Sequence, residues 1–256
     1  MNDKSLNCEK VSCSNCVDSN ELDFDFTMAF QPIVNCQNNT IFGYEALVRG
    51  LNNESAYSII SRVNDTNRYT FDQLCRIKAI ALASKLGVDS MLSINFLPNA
   101  IYKPERCIRT TLEAAKKYNF PTTNIMFEFT EVEKIEDSAH VKRVVSYYQE
   151  LGFKTATDDF GSGYSGLNLL ADFQTDIIKL DMALIRDIDK DKNRQAIVTH
   201  CLNMFSALKV TALAEGIETV EEYQWLKHAG IELMQGYLFA KPLTHSNYLT
   251  WHKQHQ

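Results

Sequence analysis

The segments NIMFEFTE (124–131), SAHVKRVVSYYQELG (138–152) and FKTATDDFG (153–161) decide the fold. The first reads as a strand. The second reads as a helix closed by Gly152, and the third as a strand that runs into a Gly-rich loop. A strand–helix–strand unit predicts parallel strands joined by a right-handed crossover. The alternation continues in both directions. Upstream, FDQLCRIKAIALASKLG (71–87) is a helix closed by Gly87, SMLSINF (90–96) a strand and ERCIRTTLEAAKKYN (105–119) a helix. Downstream come the strand TDIIKLD (175–181), the helix RQAIVTHCLNMFSALK (194–209) and the strand VTALAEGIE (210–218). The helix VEEYQWLKHAG (220–230), closed by Gly230, and a last strand IELMQGYLF (231–239) complete the series. Before all of these, MAFQPIV (28–34) and TIFGYEALV (40–48) form two strands around a turn at NCQNN, and SAYSIISRV (55–63) is helical. About eight such strands imply a (β/α)8 TIM-like barrel. The short turn between the first two makes one strand antiparallel, so the barrel is a modified one.

Composition sets the outer limits. The 256 residues are 45% apolar and 23% charged, which excludes a disordered chain, a collagen and a coiled coil. With 10 Gly and 5 Pro there is no long flexible linker. A net charge of −6 argues against a general grip on a nucleic acid polymer. No apolar run reaches the ~18–20 residues of a membrane span. The first residues, MNDKSLNCEKVSC, lack the apolar core of a signal peptide. The default compartment is then the cytoplasm.

Nearly every strand ends in a residue that a buried strand should not contain. These are Gln31 and Glu45 from the first pair, Asn95, Glu128 and Glu131, Asp158 and Asp159, Lys179 and Asp181, Glu215 and Glu218, and Gln235. In a parallel barrel such ends share one face, where active sites lie. Converging carboxylates repel one another and are costly to bury. Oxygen-only donors suit hard cations such as Mg²⁺ or Mn²⁺. Adjacent side chains on a strand point to opposite sides, so Asp158 and Asp159 reach one site only where the strand bends, which Gly161 and Gly163 allow. Each residue alone has an ordinary explanation. Asp158 could cap a helix, Lys179 could be a solvated charge, and a strand-end Glu could form a surface ion pair. Seven strands ending alike make those explanations fail collectively. Two cations about 4 Å apart are the standard device for in-line attack on a phosphodiester.

The motifs YEALVRG (44–50), SINFLPNA (93–100), FEFTE (127–131), DDFGSGYSGL (158–167), DIIKLD (176–181), AEGIET (214–219) and QGYLFAKPL (235–243) occur in that order. Together they resemble the EAL domain family of cyclic di-GMP phosphodiesterases, over residues 28–245. The wording is most similar to EAL domains fused to BLUF photoreceptors, although no BLUF domain precedes it here. The resemblance implies a metal-dependent hydrolase that opens cyclic di-GMP to linear 5′-pGpG, with two Mg²⁺ or Mn²⁺ ions per site. It implies Glu45, Asn95, Glu128 and Asp158 as ligands of the first metal. Asp158, Asp159 and Glu215 would hold the second. Lys179 would hold or activate the water, and Glu131 would brace the loop after Asp159. Gln31, Arg49, Asp181 and Gln235 would line the dinucleotide pocket, and Glu218 would support the Glu215 strand end. A homodimer through the helix after Asp158–Asp159 is implied too. No expected ligand is missing, which favours catalysis over the two rival classes, a silent cyclic di-GMP receptor and a protein-interaction module.

The domain division is an N-terminal arm (1–25), an EAL phosphodiesterase domain (26–248) and a C-terminal tail (249–256). The arm carries Cys8, Cys13 and Cys16, spaced for an additional metal, a thiol switch or nothing at all. Cys36, Cys75, Cys107 and Cys201 fall in apolar segments and read as small buried hydrophobes. The final HSNYLTWHKQHQ, with His245, His252 and His255, reads as a frayed, solvated terminus.

Overall fold

The computed structural model describes residues 22–96, 104–129, 138–162 and 167–254. Expectations for Cys8, Cys13, Cys16, Glu131, Gly163 and His255 fall outside these residues. Eight strands close a barrel in chain order: β1 (Thr27–Asn35), β2 (Thr40–Arg49), β3 (Met91–Phe96), β4 (Ile125–Phe129), β5 (Lys154–Phe160), β6 (Ile177–Leu180), β7 (Thr211–Ala214) and β8 (Leu233–Met234). β1 is antiparallel to both its neighbours, β2 and β8, and the remaining pairs are parallel. The modified barrel expected from the NCQNN turn is thus the observed one.

Alternation along each strand builds the interior in two storeys. The lower storey is apolar, with Ile33, Met126, Ala156, Ile177, Leu213 and Leu233 packed as one cluster and Phe42 and Met91 beside it. Two residues further along the parallel strands, the inward position turns polar. Met126 is followed by Glu128, Ala156 by Asp158, Ile177 by Lys179, Leu213 by Glu215 and Leu233 by Gln235. On the antiparallel β1 the order reverses, and Gln31 precedes Ile33. The apolar storey thus plugs the barrel and forms the floor on which the polar storey stands.

Outward residues of the strands pack under helices in two further clusters. One joins β1–β4 to α1 (Ala56–Ile60), α2 (Arg68–Leu86), α3 (Pro104–Cys107), α4 (Arg109–Lys117) and α5 (Ser138–Glu150). The other joins the β5–β8 side to α6 (Leu167–Asp172), α7 (Met182–Ile185), α8 (Lys192–Leu208) and α9 (Val220–His228). Gly87 closes α2 in the left-handed conformation, φ 73°, as the sequence led one to expect. Among the described residues no helix is long and apolar enough to cross a membrane.

Four expectations need correction. The helix read over 105–119 breaks at Ile108, which is buried between α3 and α4. The last strand is two residues long, because the chain turns into the barrel mouth at Gln235. Among the described residues the core already includes the chain from Leu22, before residue 26. Leu22, Phe24, Phe26, Met28 and Phe30 repeat every second residue and all join the core, with Arg62 and Lys78 each 4.4 Å over the rings of Phe24 and Phe26. The C-terminal segment is not frayed but folds as α10 (His245–Gln254). Tyr248 of α10 is fully buried, and His252 Nδ1 lies 3.1 Å from the Tyr44 hydroxyl.

Candidate active site

The polar storey centres on Lys179, which is fully buried rather than solvated. β6 carries it inward two residues above Ile177. Its ammonium lies 2.7 Å from Glu215 Oε1 and 2.9 Å from Glu128 Oε2. It also lies 2.9 Å from Asp158 Oδ1, at an angle that makes no hydrogen bond, and 3.8 Å from Glu45 Oε2. Burial alone would lower its pKa. The carboxylates Asp158, Glu128, Glu215 and Glu45 outweigh burial and raise it well above the usual lysine value. Lys179 therefore stands among these carboxylates as a cation and a hydrogen-bond donor.

The surrounding carboxylates carry the opposite strain. Glu128 is fully buried, and burial, with the charges of Glu45 and Asp158, pushes its pKa up to about 8 against the pull of Lys179. Glu215 is pushed well above the carboxylate range by burial and then by Asp158, Glu45 and Glu128, again with Lys179 opposing. Glu45 is tethered at both oxygens. Oε1 accepts from Asn95 Nδ2 at 2.9 Å, and Oε2 accepts from Gln235 Nε2 at 2.7 Å. The Asn95 amide thus donates to Glu45 and leaves its carbonyl as the ligand end.

Asp158 and Asp159 reach the same site by a route the sequence reading placed one turn too late. The bend is at Asp159 itself, whose φ is +55°, and the pairing of β5 with β6 skips between Thr157 and Phe160. This bulge turns two neighbouring side chains to one side. Oxygens of Asp158, Asp159 and Glu215 all lie within 4.8 Å of one another. Burial first, then Asp158 and Asp181, push Asp159 up to about 6.

A cavity of about 260 Å³ opens above this storey. Gln31, Glu45, Asp159, Asp181, Glu215, Glu218 and Gln235 line it, as expected from their strand ends. Arg49 does not: its Nη1 donates to its own Val48 carbonyl at 2.7 Å. Leu47, Met182, Gly216 and Tyr237 also line the cavity and escaped the sequence reading. The signal for them was local. Met182, 47% exposed, directly follows Asp181, and Tyr237, 55% exposed, lies two residues after Gln235. Gly216 has φ +67°, and a Cβ there would sit 2.3 Å from the Met182 Cβ, so the two walls meet only because this residue is glycine. A larger hollow of about 310 Å³, near Asp25, Glu54 and Arg62, brings together no comparable donor set.

The donors fit hard divalent cations. Glu45, Glu128, Asp158, Asp159, Glu215 and the Asn95 carbonyl offer oxygen alone, and one ammonium faces five carboxylates. Glu128 Oε1 is buried without a hydrogen-bond partner. An orphaned carboxylate oxygen in such a place is costly unless a cation meets it.

A family model described as EAL domain matches residues 19–242. The blue light- and temperature-regulated antirepressor BluF of Escherichia coli (strain K12) is 34% identical over 214 residues, covering 83% of this chain and 53% of that protein. The probable cyclic di-GMP phosphodiesterase PdeB of the same strain is 30% identical over 241 residues, covering 90% and 45%. The chain thus spans about half the length of these curated relatives. A standalone versatile EAL protein from Vibrio cholerae O395, solved in its c-di-GMP-bound form, superposes with a TM-score of 0.86 at 72% identity. It covers 88% of this chain and 95% of that one. The manganese/cy-diGMP complex of Klebsiella pneumoniae BlrP1 at pH 9.0 superposes at 0.81 with 34% identity, covering 89% and 58%.

Proposed function

The chain belongs to the EAL domain family, and we propose that it hydrolyses one phosphodiester of cyclic di-GMP, giving linear 5′-pGpG. The observation that carries the proposal is the oxygen-donor set gathered around Lys179 beneath an open cavity. A relative named as a probable cyclic di-GMP phosphodiesterase and a solved neighbour bound to c-di-GMP support the same reading.

Divalent cations, Mg²⁺ or Mn²⁺, held by Glu45, Asn95, Glu128 and Asp158 on one side and by Asp158, Asp159 and Glu215 on the other, would supply an activated water and neutralise charge developing on the phosphate. The manganese complex of BlrP1 supports a divalent requirement. The residues of this chain do the rest. Lys179, kept protonated, donates to the attacking water or to a phosphate oxygen. Glu215, at the cavity wall 2.7 Å from Lys179, is placed to take the water's proton. Gln31, Asp181 and Gln235 offer hydrogen bonds to the dinucleotide. Arg49 shares the inward side of β2 with Glu45 and Leu47, and joins the substrate by leaving the Val48 carbonyl. Glu131, which follows β4, braces the loop after Asp159. A two-fold dimer through α6 completes the proposal, and Leu167 at its start is 62% exposed.

The test is chromatographic. Purified protein is incubated with cyclic di-GMP and Mg²⁺ or Mn²⁺, and the nucleotides are resolved, with Glu45→Ala as control. Linear pGpG from the wild type alone upholds the proposal. Binding without cleavage overturns it in favour of a receptor. A second reading, a protein-interaction module, draws support from the antirepressor relative; absence of nucleotide binding would favour that one.

A further inference from the structure

Glu222 has no part in the site described above, yet it is a 1% exposed carboxylate at the third position of α9. A capping box needs it only to accept from the Thr219 backbone, while Thr219 Oγ1 caps Glu222 in return. Here it accepts more. Oε2 takes the N–H of Glu218 at 3.0 Å and of Thr219 at 3.1 Å. Oε1 takes the N–H of Asp187 at 3.0 Å, from the loop after α7. Asp187 holds a left-handed φ of +54°, uncommon for a residue with a Cβ. Arg186 beside it reaches back to Glu218 Oε1 at 2.9 Å.

These contacts bind together two chain segments that form neighbouring walls of the cavity, at the ends of the paired strands β6 and β7. One supplies Asp181 and Met182, and the other supplies Glu215, Gly216 and Glu218. Met182 and Gly216 pack so closely that a Cβ at position 216 would sit 2.3 Å from the Met182 Cβ, so a small shift between these walls changes the cavity. We propose that Glu222 is a positioning residue for the phosphodiesterase site: its carboxylate, with Arg186, fixes the Glu215 wall against the Asp181 wall and so sets the metal and nucleotide geometry. The inference rests on the proposed hydrolysis.

Glu222→Gln separates the two tasks. Its single carbonyl oxygen serves the capping box, while its NH₂ confronts the Asp187 N–H. The fold and the cap persist, and the link between loops is lost. Groups bonded directly to metal ligands alter metal affinity or activity by about 10–100-fold; Glu222 reaches the Glu215 wall through the Glu218 and Thr219 N–H groups, so the lower end applies. The expected result is a rise of about tenfold in the Mn²⁺ concentration for half-maximal activity, a lower kcat, and a matching weakening of Mn²⁺ binding measured without nucleotide. Asp72→Asn, a buried carboxylate change in the other apolar cluster, is the control for stability alone, with both variants assayed well below their melting temperatures. An E222Q protein with wild-type Mn²⁺ affinity and kcat, or one altered no more than D72N, overturns the inference. An inactive wild type would instead overturn the hydrolase reading, and the Mn²⁺ binding comparison would still judge Glu222.

Discussion

Replacing Lys179 by Met removes a cation that lies 2.7–2.9 Å from Glu215, Glu128 and Asp158. At an effective dielectric constant near 20, each such contact is a gross attraction of about 6 kcal/mol. Desolvation of the buried charges offsets most of this. Removing one partner of a buried ion pair costs about 3–5 kcal/mol net, because the remaining charges are left uncompensated. With several carboxylates stranded at once, K179M belongs at the upper end. For a domain of this size that is a fall of about 10–20 °C in melting temperature. The penalty should also depend on pH. Glu128 already titrates near 8, raised by burial and by Glu45 and Asp158, with Lys179 pulling it down. Without the ammonium it rises further. A carboxyl whose pKa is raised on folding favours the folded state at low pH and loses that benefit as pH climbs through the folded value. Urea denaturation in EDTA should therefore show the largest K179M penalty at pH 9 and a smaller one at pH 5. A loss below about 1 kcal/mol, or one that does not change across that range, would refute the charge-compensation account.

Other predictions follow from separate parts of the molecule. Asp72→Asn strands the buried Arg76 guanidinium, now 2.6 Å from Asp72 Oδ2, and should cost about 3–5 kcal/mol in denaturant titrations while leaving Mn²⁺ affinity unchanged. Tyr248→Ala empties the contact of α10 with Phe30 and Tyr44 and should cost about 3–5 kcal/mol; a loss under 1 kcal/mol would mean that α10 does not hold the barrel. Gly216→Ala meets both a left-handed backbone and Met182, and should weaken nucleotide binding as the cavity wall shifts. Asp176 is opposed by burial but held below the usual range by Lys154 and Thr155. Its contribution is present above the unfolded pKa and lost as pH falls through the folded one, so Asp176→Asn should flatten the acid limb of a stability profile.

The barrel and most of its polar storey were legible because period-two alternation writes them into short segments. Met126–Glu128 and Ile177–Lys179 each place an apolar floor residue two positions before a functional one. What alternation cannot show is where a strand departs from regularity. The bend at Asp159 was assigned to the glycines that follow, since a left-handed Asp has no sequence mark. Arg49 stands at a legible position, but a long side chain chooses its own partner, here the Val48 carbonyl. The α10 helix went unread because its burial depends on Tyr44, some two hundred residues away. Leu22, Phe24 and Phe26 carried a readable pattern that the acidic residues between them obscured. The sequence reading passed over Glu222, since the bond that gives it weight comes from a different loop.

The reversed first strand has a consequence for how the domain is wired. In a barrel made only of parallel strands, the chain enters at the end opposite the catalytic mouth. Here Thr27 pairs with Arg49, at the carboxyl end of β2, so the chain enters at the rim of the mouth itself. Phe24 and Phe26 anchor that entry point against Phe71 of α2. The described chain therefore enters at the end where the polar storey opens. The entering segment and the oxygen-donor cluster thus lie on one face of the barrel, with the apolar floor beneath both.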